Sequence, residues 1–374
     1  MRLTFKYRLY PTAPQSTFLT AQLKDACDLY NAAKQQRDDA WKTSRKSLSY
    51  LDQAAELKAM RGDGCVTLAN FSCCQDVLRR VNKTYAAYFL RVKRGEKPGF
   101  PRYRSFRRYD SITFPSYGNG CRLLPDGKLR VQGAGHIKVK LHRPLVGEVK
   151  TVTIKREAGR WFACFSVERD RKPLAPSAAE TGIDVGLNSF AVLADGTEIP
   201  NPRRYRKGQA KLRCAQRKVA RRKKGGHRRR KAVQLLQRAH AHVRNQRADF
   251  HHKESRGLVN QYGLIAVEDL NVKALASGML AKSVNDAGWS QFTQMLSYKA
   301  ECAGRVLVKV DPRGTSQTCL CGARVEKTLG DRWHSCPACG LSASRDRVSA
   351  QVILQRARNG PSGANVEVVN SCVA

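Results

Sequence analysis

Alternating apolar and polar positions open the chain, and this pattern predicts a half-buried strand over residues 1–10. Apolar residues then recur at helical spacing over residues 19–33 and again over residues 77–90, which predicts two amphipathic helices. Residues 44–70 between them are mostly polar and show neither period. The N-terminal part is therefore predicted to be a strand followed by a helical region.

Residues 111–170 contain short alternating runs that predict an all-β segment. Turn residues separate these runs, notably at 125–127 and 158–159. The strand at 1–10 and this segment together favour a small β-barrel with the helices inserted between them. Residues 173–177 are expected to form the linker to the rest of the chain.

Three acidic residues follow, each at the end of an apolar segment. Asp184 lies in TGIDVGLNSFAVLADG, a strand–turn–strand pattern typical of the start of a ribonuclease H fold, with a hairpin turn at 195–196. Glu268 follows the apolar run 264–267, which predicts a buried strand. Asp346 opens a helical run of apolar residues.

Each acid alone also has an ordinary structural interpretation. Asp184 suits a turn beside glycine, Glu268 a helix cap, and Asp346 the first helical turn, where the helix dipole favours negative charge. Asp269 is expected to be a cap or turn residue. The combination favours a metal site, because phosphodiester hydrolysis by two Mg²⁺ about 4 Å apart requires shared oxygen ligands. The sequence therefore predicts Asp184, Glu268 and Asp346 as catalytic ligands of two Mg²⁺.

Composition adds a strong preference for an anionic partner. The 374 residues include 69 Lys+Arg and 30 Asp+Glu, which gives a formal net charge of +39. Such a charge favours nucleic acid. No apolar stretch approaches the roughly 18 residues of a membrane helix, and the N-terminus is predicted to be a strand rather than a signal peptide. We therefore expect a cytoplasmic, nucleoid-associated protein without a membrane partner; its oligomeric state stays open.

The basic residues concentrate in a helical region at 203–256, which Gly225-Gly226 divides into two helices. No acidic residue occurs between Glu198 and Asp249. A solvated helix usually mixes both signs of charge, so this region is expected to bind the phosphate backbone, a contact without sequence information. The candidate nucleic-acid-binding residues here are Arg203, Arg204, Arg206, Arg213, Arg217, Arg221, Arg222, Lys223, Arg228, Arg229 and Arg230.

Four of the thirteen cysteines form a compact pattern near the C-terminus. Cys319 and Cys321, then Cys336 and Cys339, lie in two turns that each end in glycine and fit one tetrahedral structural Zn²⁺ site. Disulfides, the alternative, are disfavoured in a reducing cytosol. The first pair is CxC rather than the usual CxxC, and His334 is a candidate substitute ligand. Eight of the other nine cysteines are expected to be buried small residues: Cys27, Cys65, Cys73, Cys74, Cys121, Cys164, Cys214 and Cys302.

In this order, the segments resemble the TnpB family of nucleases, which transposons of the insertion-sequence type encode and which are related to type V CRISPR effectors. The resemblance covers essentially the whole chain and rests on GFPRYRS at 99–105, GIDVGLNSFAVLADG, the arginine-rich helices, GLIAVEDLNV and DPRGTSQTCLCG…CPACG…SRD. The family pattern DRDxNAA is altered around the third acid, because Ser344, Val348 and Ser349 replace its first Asp, its Asn and its first Ala. Asp346 itself is kept.

The resemblance implies an α+β multidomain fold. It has a RuvC or ribonuclease H-like nuclease domain with a zinc-ribbon insertion, and an oligonucleotide-binding-type β-barrel, the wedge, with an inserted helical recognition lobe. The boundaries expected on this chain are 1–10 and 111–172 for the wedge, 11–110 for the recognition lobe, 178–312 and 341–374 for the nuclease domain, and 313–340 for the zinc ribbon, which would bind target nucleic acid.

The resemblance also implies an RNA-guided, Mg²⁺-dependent DNA endonuclease. Such a protein binds a guide RNA derived from the transposon end and cleaves double-stranded DNA beside a short adjacent motif. Base pairing reads the sequence, while the protein holds the backbone. Two alternatives are an RNA-guided repressor or transposition regulator, which the altered third acidic motif favours, and a compact type V CRISPR effector.

Further site predictions depend on the resemblance. Asp184, Glu268 and Asp346 fall on the family's three catalytic positions. Arg313 and residues 315–317 match the family's lead-in to the cysteine cluster and are expected to position DNA near the metals. Gln75 is the candidate reader of the adjacent motif, since glutamine can pair with adenine in the major groove; an ordinary surface role is an equal alternative.

Overall fold

The computed structural model describes residues 1–328 and 330–359 and the backbone of 367–368. The expected nuclease segment 341–374 therefore lies partly outside the described residues. The described chain has an α+β fold and forms two compact units that divide after Asp170.

The first unit contains a seven-stranded antiparallel sheet with three helices inserted after its first strand. Its strands are β1 (Arg2–Tyr10), β2 (Ser111–Phe114), β3 (Cys121–Leu123), β4 (Lys128–Val131), β5 (Gly135–Lys140), β6 (Glu148–Glu157) and β7 (Arg160–Glu168). Its helices are α1 (Ala13–Ser44), α2 (Tyr50–Gly62) and α3 (Phe71–Lys93). The strand order is β2-β6-β7-β1-β5-β4-β3, so the predicted association of the first strand with the later β segment is confirmed.

The start of the chain shows how the sequence specifies this unit. Alternate residues Phe5, Tyr7 and Leu9 of β1 are buried in the core. Thr12 and Gln15 then form a reciprocal capping box that begins α1. The amide of Thr12 donates to Gln15 Oε1 at 3.0 Å, which satisfies a backbone group that the helix itself leaves unpaired.

Helix α2 lies in the segment that shows no apolar period. A capping box begins it, and its buried side chains are Gln53 and Leu57. Gln53 Nε2 donates to the Ala33 carbonyl oxygen at 2.7 Å, and Gln53 Oε1 accepts from Arg37 Nε at 2.8 Å. A glutamine with satisfied hydrogen bonds thus occupies a core position, and this polar residue hides the helical period in the sequence.

The cysteines outside the cluster are not all buried. The prediction is wrong for Cys65 and Cys214, which are exposed, and Cys164 is only half-buried. Cys65 follows α2 in a polar turn, and Cys214 lies in a basic segment, so neither neighbourhood provides an apolar face. The prediction is confirmed for Cys27, Cys73, Cys74, Cys121 and Cys302.

The second unit contains a six-stranded mixed sheet and a separate two-stranded hairpin. Its strands are β8 (Glu180–Val185), β9 (Ser189–Leu193), β10 (Glu198–Pro200), β11 (Leu264–Glu268), β12 (Val306–Val310), β13 (Trp333–Ser335), β14 (Ser342–Ser344) and β15 (Glu367–Val368). Its helices are α4 (Arg204–Ala220), α5 (His227–Gln261), α6 (Val272–Leu275), α7 (Ala281–Ala287), α8 (Trp289–Ala303) and α9 (Arg345–Arg358). The larger sheet has the order β10-β9-β8-β11-β12-β15, and β13 pairs with β14.

The centre of the larger sheet is parallel and buried on both faces. β11 pairs in parallel with β8 on one side and with β12 on the other. Ile183 and Ile265 face a core that includes residues of α5 and α8. Ala266 packs on the opposite face with Ile353 of α9. Burial on both faces explains why the run 264–267 is continuously apolar.

Helix α9 packs very closely against β8. A Cβ built on Gly182 would lie 2.0 Å from the carbonyl oxygen of Ala350 and 2.8 Å from the amide nitrogen of Leu354. Near the other end of the helix, Arg358 Nε donates to Glu180 Oε2 at 2.6 Å. The helix therefore runs antiparallel to the strand, and its first turn lies beside the strand's carboxyl end.

The predicted basic region forms two helices, α4 and α5. They are separated at Gly225-Gly226, so the predicted break is confirmed. Helix α5 continues past the predicted end at residue 256, because Leu258 and Val259 are buried in the core and extend its apolar face. Within the part of the chain that the structure describes, no helix is both long and apolar enough to cross a membrane.

We expect Gly182→Ala to lower the thermal unfolding midpoint of the second unit. The added Cβ meets backbone atoms of α9, which cannot move aside as a flexible side chain would. The free energy of unfolding should therefore fall by at least the about 1–3 kcal/mol that is typical of overpacking. Differential scanning calorimetry of the full chain measures the midpoint.

Gly257→Ala is the matched control for this substitution. Gly257 lies inside α5, its Cβ would meet open space, and alanine is favoured over glycine in a helix by about 1 kcal/mol. This variant should keep or raise the midpoint. If Gly182→Ala is as stable as the control, α9 does not pack on β8 as described.

Candidate active site

The carboxyl ends of β8 and β11 place two of the predicted acids side by side. Ile183 pairs with Val267 in the parallel register, so Asp184 and Glu268 follow at the same level of neighbouring strands. Ile183 and Val267 face the core beneath α5 and α8. Because successive side chains of a strand point to opposite faces, both carboxylates project to the face on which α9 lies.

Asp346 reaches the same place from helix α9. It is one turn before Ala350, whose carbonyl oxygen contacts Gly182. Since α9 is antiparallel to β8, this turn lies next to Asp184. The negative charges of Glu268 and Asp346 both raise the pKa of Asp184. The structure thus brings the three predicted acids together.

The site is electrostatically unfavourable without a counterion. Burial, followed by repulsion from Glu268 and then Asp346, raises the pKa of Asp184 well above the ordinary 3.8, against the opposing charge of Arg345. Burial also raises the pKa of Glu268, while a hydrogen bond from Thr315 and the charge of Arg356 lower it. A half-buried group of like charges in this state favours binding of a cation.

Neighbouring side chains that the sequence analysis did not predict as partners hold two of the acids. Arg345 Nε and Nη2 donate to Asp346 Oδ1 at 3.1 and 3.0 Å. Thr315 Oγ1 donates to Glu268 Oε1 at 2.5 Å. The signal for Arg345 was its position directly before Asp346, and Thr315 stands in the lead-in to the cysteines. Nothing in the sequence marks Arg356 as a neighbour of Glu268.

Asp269 stands apart from the three acids. Its carboxylate is largely exposed, and Oδ1 lies 3.4 Å from Lys309 Nζ. Its amide donates to the Val310 carbonyl oxygen at 2.9 Å, at the end of the parallel strands. The predicted cap or turn role is not observed, because the backbone of Asp269 continues the pairing of β11 with β12 and Asn271 caps the following helix α6.

The four predicted cysteines form one compact cluster. All four Sγ atoms lie within 4.8 Å of one another, with Cys319 and Cys339 at 3.5 Å and Cys321 and Cys336 at 3.7 Å. Each pair lies in a tight turn. In the first turn the amide of Gly322 donates to the carbonyl oxygen of Cys319 at 2.9 Å, and in the second the amide of Gly340 donates to the carbonyl oxygen of Cys336 at 3.0 Å. Backbone N–H groups, first that of Cys339, lower the pKa of Cys336 to about 7, which favours its thiolate.

His334 is not part of this cluster of ligand atoms. It is fully buried on β13, and its Nδ1 contacts the ammonium of Lys327. Burial and the charge of Lys327 both lower its pKa, so the ring is neutral. His334 therefore lies outside the group of four sulfur atoms, and the geometry does not support it as a substitute ligand.

The predicted phosphate-binding residues of α4 and α5 form a basic surface. Most are exposed, while Arg204 and Arg229 are half-buried. Arg206 Nη2 donates to Ser283 Oγ at 2.8 Å, so part of its guanidinium is used within the unit. A groove of about 490 Å³ lies between the helices, and it is lined by apolar residues such as Leu212 and Leu235 and by basic residues. Such a surface matches a phosphate backbone.

The first unit carries a cationic cleft that the sequence analysis did not assign. The cleft of about 880 Å³ lies between α3 and the loop 99–108. Phe100 and Tyr103 in it are 54% and 51% exposed, and Lys34 Nζ lies 5.3 and 4.0 Å from their ring centroids. The signal was the mixture of arginines and aromatic residues in this loop. The basic residues lining the cleft are Lys83, Arg91, Arg102, Arg104, Arg107 and Arg108.

Two remaining predicted site residues lie on different units. Gln75 is half-buried in the first turns of α3, in the first unit. Arg313 is exposed in the segment after β12, in the second unit, with its amide donating to Asp311 Oδ1 at 3.0 Å. Both positions leave at least part of the side chain accessible to a partner.

The whole chain matches a curated relative. It is 34% identical over 366 residues to a protein of Streptomyces pristinaespiralis named "Putative RNA-guided DNA endonuclease", and the match covers 95% of this chain and 89% of that protein. The chain belongs to the TnpB family. "Putative RNA-guided DNA endonuclease InsQ" of Escherichia coli (strain K12) is 26% identical to this TnpB-family chain over 374 residues, covering 94% of the chain and 91% of InsQ.

Family models and a solved structure add to this comparison. A model described as "Probable transposase" matches residues 162–278 of the TnpB-family chain, and one described as "Cas12f1-like, TNB domain" matches 289–353. A model described as "Helix-turn-helix domain" matches 1–46, which here fold as β1 and the single helix α1. The "mini-RNA-guided endonuclease CRISPR-Cas_phi3" structure is 9% identical with a TM-score of 0.47, covering 95% of this chain and 92% of its own.

We expect Asp184→Asn to raise the thermal stability of the metal-free TnpB-family protein at neutral pH. Because the pKa of Asp184 is raised, the free energy of unfolding falls as the pH rises from the ordinary aspartate value of 3.8 through the raised value. Asparagine removes this charge, and each kcal/mol regained raises the unfolding midpoint by about 2–4 °C. Mg²⁺ should stabilise the wild type more than the variant.

Asp269→Asn is the matched control, because it removes an exposed carboxylate next to the site. Differential scanning fluorimetry in EDTA and in Mg²⁺ measures all three proteins, and the control should follow the wild type. An Asp184→Asn variant that is less stable than the wild type in EDTA would show that burial and repulsion do not make the ionised Asp184 destabilising.

Proposed function

We propose that this chain is an RNA-guided DNA endonuclease that hydrolyses phosphodiester bonds at Asp184, Glu268 and Asp346. The observation that carries the proposal is the convergence of these acids at one edge of a parallel sheet, where they raise the pKa of Asp184. The relatives named as RNA-guided DNA endonucleases agree with it. The net charge of +39 supports a nucleic-acid partner.

The residues of the carboxylate site fit Mg²⁺. This hard cation prefers oxygen ligands, and the repulsion at Asp184 is of the kind that a divalent cation relieves. Asp184, Glu268 and Asp346 would hold two such ions. When bound, the ions supply an activated water and neutralise the leaving oxygen.

The surrounding side chains would prepare the carboxylates for this role. Arg345 fixes Oδ1 of Asp346, and Thr315 fixes Oε1 of Glu268. Burial around Asp184 limits the access of water and strengthens charge interactions within the site. The acids are thus ordered before a substrate phosphate arrives.

The proposed partners are a guide RNA and a double-stranded DNA target that carries a short adjacent motif. The basic surface of α4 and α5, which includes the predicted arginines from Arg203 to Arg230, would hold the nucleic-acid backbone. The cleft around Phe100 would add phosphate contacts and base stacking. Arg313 would position DNA near the carboxylates, and Gln75 is the proposed reader of the motif. The same charge favours association with the nucleoid in the cytoplasm.

We propose finer domain assignments that follow the strand connections. The antiparallel sheet of the first unit, which joins β1 to β2–β7, would be the wedge barrel at 1–10 and 111–172, and the helices at 11–110 the recognition lobe. The sheet that carries Asp184 and Glu268 would be the RuvC or ribonuclease H-like domain at 178–312 and 341–374. Residues 313–340 would be its zinc-ribbon insertion.

The cysteine cluster fits one structural Zn²⁺. In a tetrahedral site with Zn–S bonds of about 2.3 Å, the sulfurs are about 3.8 Å apart. The observed distances of 3.5 Å for Cys319–Cys339 and 3.7 Å for Cys321–Cys336 are close to this value. The CxC spacing of the first pair therefore still allows a four-sulfur site.

Guided cleavage is tested by identifying the bound RNA and the cut DNA. RNA that co-purifies with the wild-type protein is sequenced, and the complex is incubated with Mg²⁺ and a plasmid library that matches this guide beside a randomised motif. We expect loss of a subset of plasmids that share one motif. In the same assay, Asp184→Ala should lower cleavage by more than about a thousandfold, because several kcal/mol of transition-state stabilisation are lost, while RNA binding stays intact.

The other outcomes separate the alternatives. A specific bound RNA without loss of any plasmid would favour an RNA-guided repressor. Normal cutting by Asp184→Ala would refute the carboxylate assignment. Asp269→Asn, which changes an exposed neighbour, serves as the control and should cut like the wild type.

Cys336→Ser should lower the zinc content of the purified protein and its thermal unfolding midpoint, since a structural Zn²⁺ contributes directly to folding. Inductively coupled plasma mass spectrometry measures the metal per chain. Cys65→Ser and Cys214→Ser remove exposed cysteines outside the cluster and should retain the wild-type zinc content. Unchanged zinc in Cys336→Ser would rule out the four-sulfur site.

A further inference from the structure

We propose that Thr315 is a positioning residue for Glu268, and that it makes the segment leading into the cysteine cluster part of the carboxylate site. The inference rests on the proposed function. Thr315 is 4% exposed, and its Oγ1 lies 2.5 Å from Glu268 Oε1. The hydroxyl is therefore directed at the acid and is not available to a nucleic-acid partner in solvent.

The hydroxyl has two acceptors within reach and one proton to donate. The carbonyl oxygen of Pro312 lies 3.1 Å away, whereas the carboxylate oxygen of Glu268 lies 2.5 Å away. A hydrogen bond to an ionised acceptor is shorter and roughly twice as strong as one between neutral groups, so the proton goes to Glu268. One oxygen of the carboxylate is then fixed, which restricts the rotation of the carboxylate group.

The segment that carries Thr315 is itself held by helix α9. Arg356 Nη1, near the end of α9, donates to the carbonyl oxygens of Asp311 at 2.8 Å and Arg313 at 2.9 Å. Cys319, the first ligand of the cluster, follows Thr315 after a single tight turn. The Thr315 hydroxyl that donates to Glu268 thus belongs to a short segment. Helix α9 holds one end of this segment, and the cysteine cluster lies at the other end.

Thr318 provides an internal comparison. Its hydroxyl donates to the Gly314 carbonyl oxygen at 2.8 Å, within the same turn and without contact to an acid. A threonine that only stabilised the turn would resemble Thr318. The acidic acceptor distinguishes Thr315 and indicates a role in the carboxylate site.

Thr315→Val and Thr315→Ser test the proposal, because valine keeps the shape without the hydroxyl and serine keeps the hydroxyl. Two readouts are used: Mn²⁺ binding to the RNA-free full chain by electron paramagnetic resonance, with Asp184→Ala as the blank, and the Mg²⁺ dependence of cleavage by the guide-loaded complex. We expect Thr315→Val to weaken metal binding by about 10–100-fold, the usual effect of losing a hydrogen bond to a metal ligand. Thr315→Ser should restore it to within a few-fold of the wild type.

Zinc content is measured for every variant. Thr318→Val is the control, and this variant should match the wild type in both Mn²⁺ binding and zinc content. The proposal is overturned if Thr315→Val binds Mn²⁺ as the wild type does, if serine fails as valine does, or if the loss in Thr315→Val follows loss of zinc. A wild-type chain that binds Mn²⁺ without cutting DNA would refute the proposed function alone, whereas one that binds no Mn²⁺ above the blank would refute both.

Discussion

The candidate active site depends on how closely α9 packs against β8. Two of the acids lie on neighbouring strands and are fixed by the sheet register, but Asp346 belongs to a helix that must reach them from outside the sheet. The missing side chain of Gly182 lets the backbone of Ala350 approach so closely that another residue would clash. A larger separation would move the first turn of α9 away from Asp184 and divide the site.

This packing produces a conflict that the protein only partly resolves. Burial and then the negative charges of Glu268 and Asp346 oppose the ionisation of Asp184, so its pKa is raised. The offsetting contacts lie at the edges of the site: Arg345 acts on Asp346, and Thr315 and Arg356 act on Glu268. Asp184 in the centre has no comparable partner of its own in the interactions described. The remaining imbalance favours binding of a cation.

The sequence was sufficient for most of the elements and for the positions of the three acids, and insufficient for helix α2 and for the side chains around the acids. The continuous apolar run before Glu268 and the helical run after Asp346 are periodic signals, and both elements are present as predicted. Helix α2 was not predicted, because the polar residue Gln53 occupies a core position and makes hydrogen bonds there instead of apolar contacts. The Phe100 cleft and the contact of Arg356 depend on residues distant in sequence, for which no local period exists.

The connection between the cysteine cluster and the acids follows from topology. Glu268 pairs with Val310 at the carboxyl ends of β11 and β12, so the chain leaves the sheet toward the cysteines at the level of this acid. It returns through β14 directly into the first turn of α9, where Asp346 lies. The segment that carries the cysteines thus begins and ends beside a catalytic candidate. A rearrangement of the cluster would therefore act on Glu268 through the outgoing segment and on Asp346 through the returning one, so the proposed Zn²⁺ would influence the geometry of the carboxylates without contacting them.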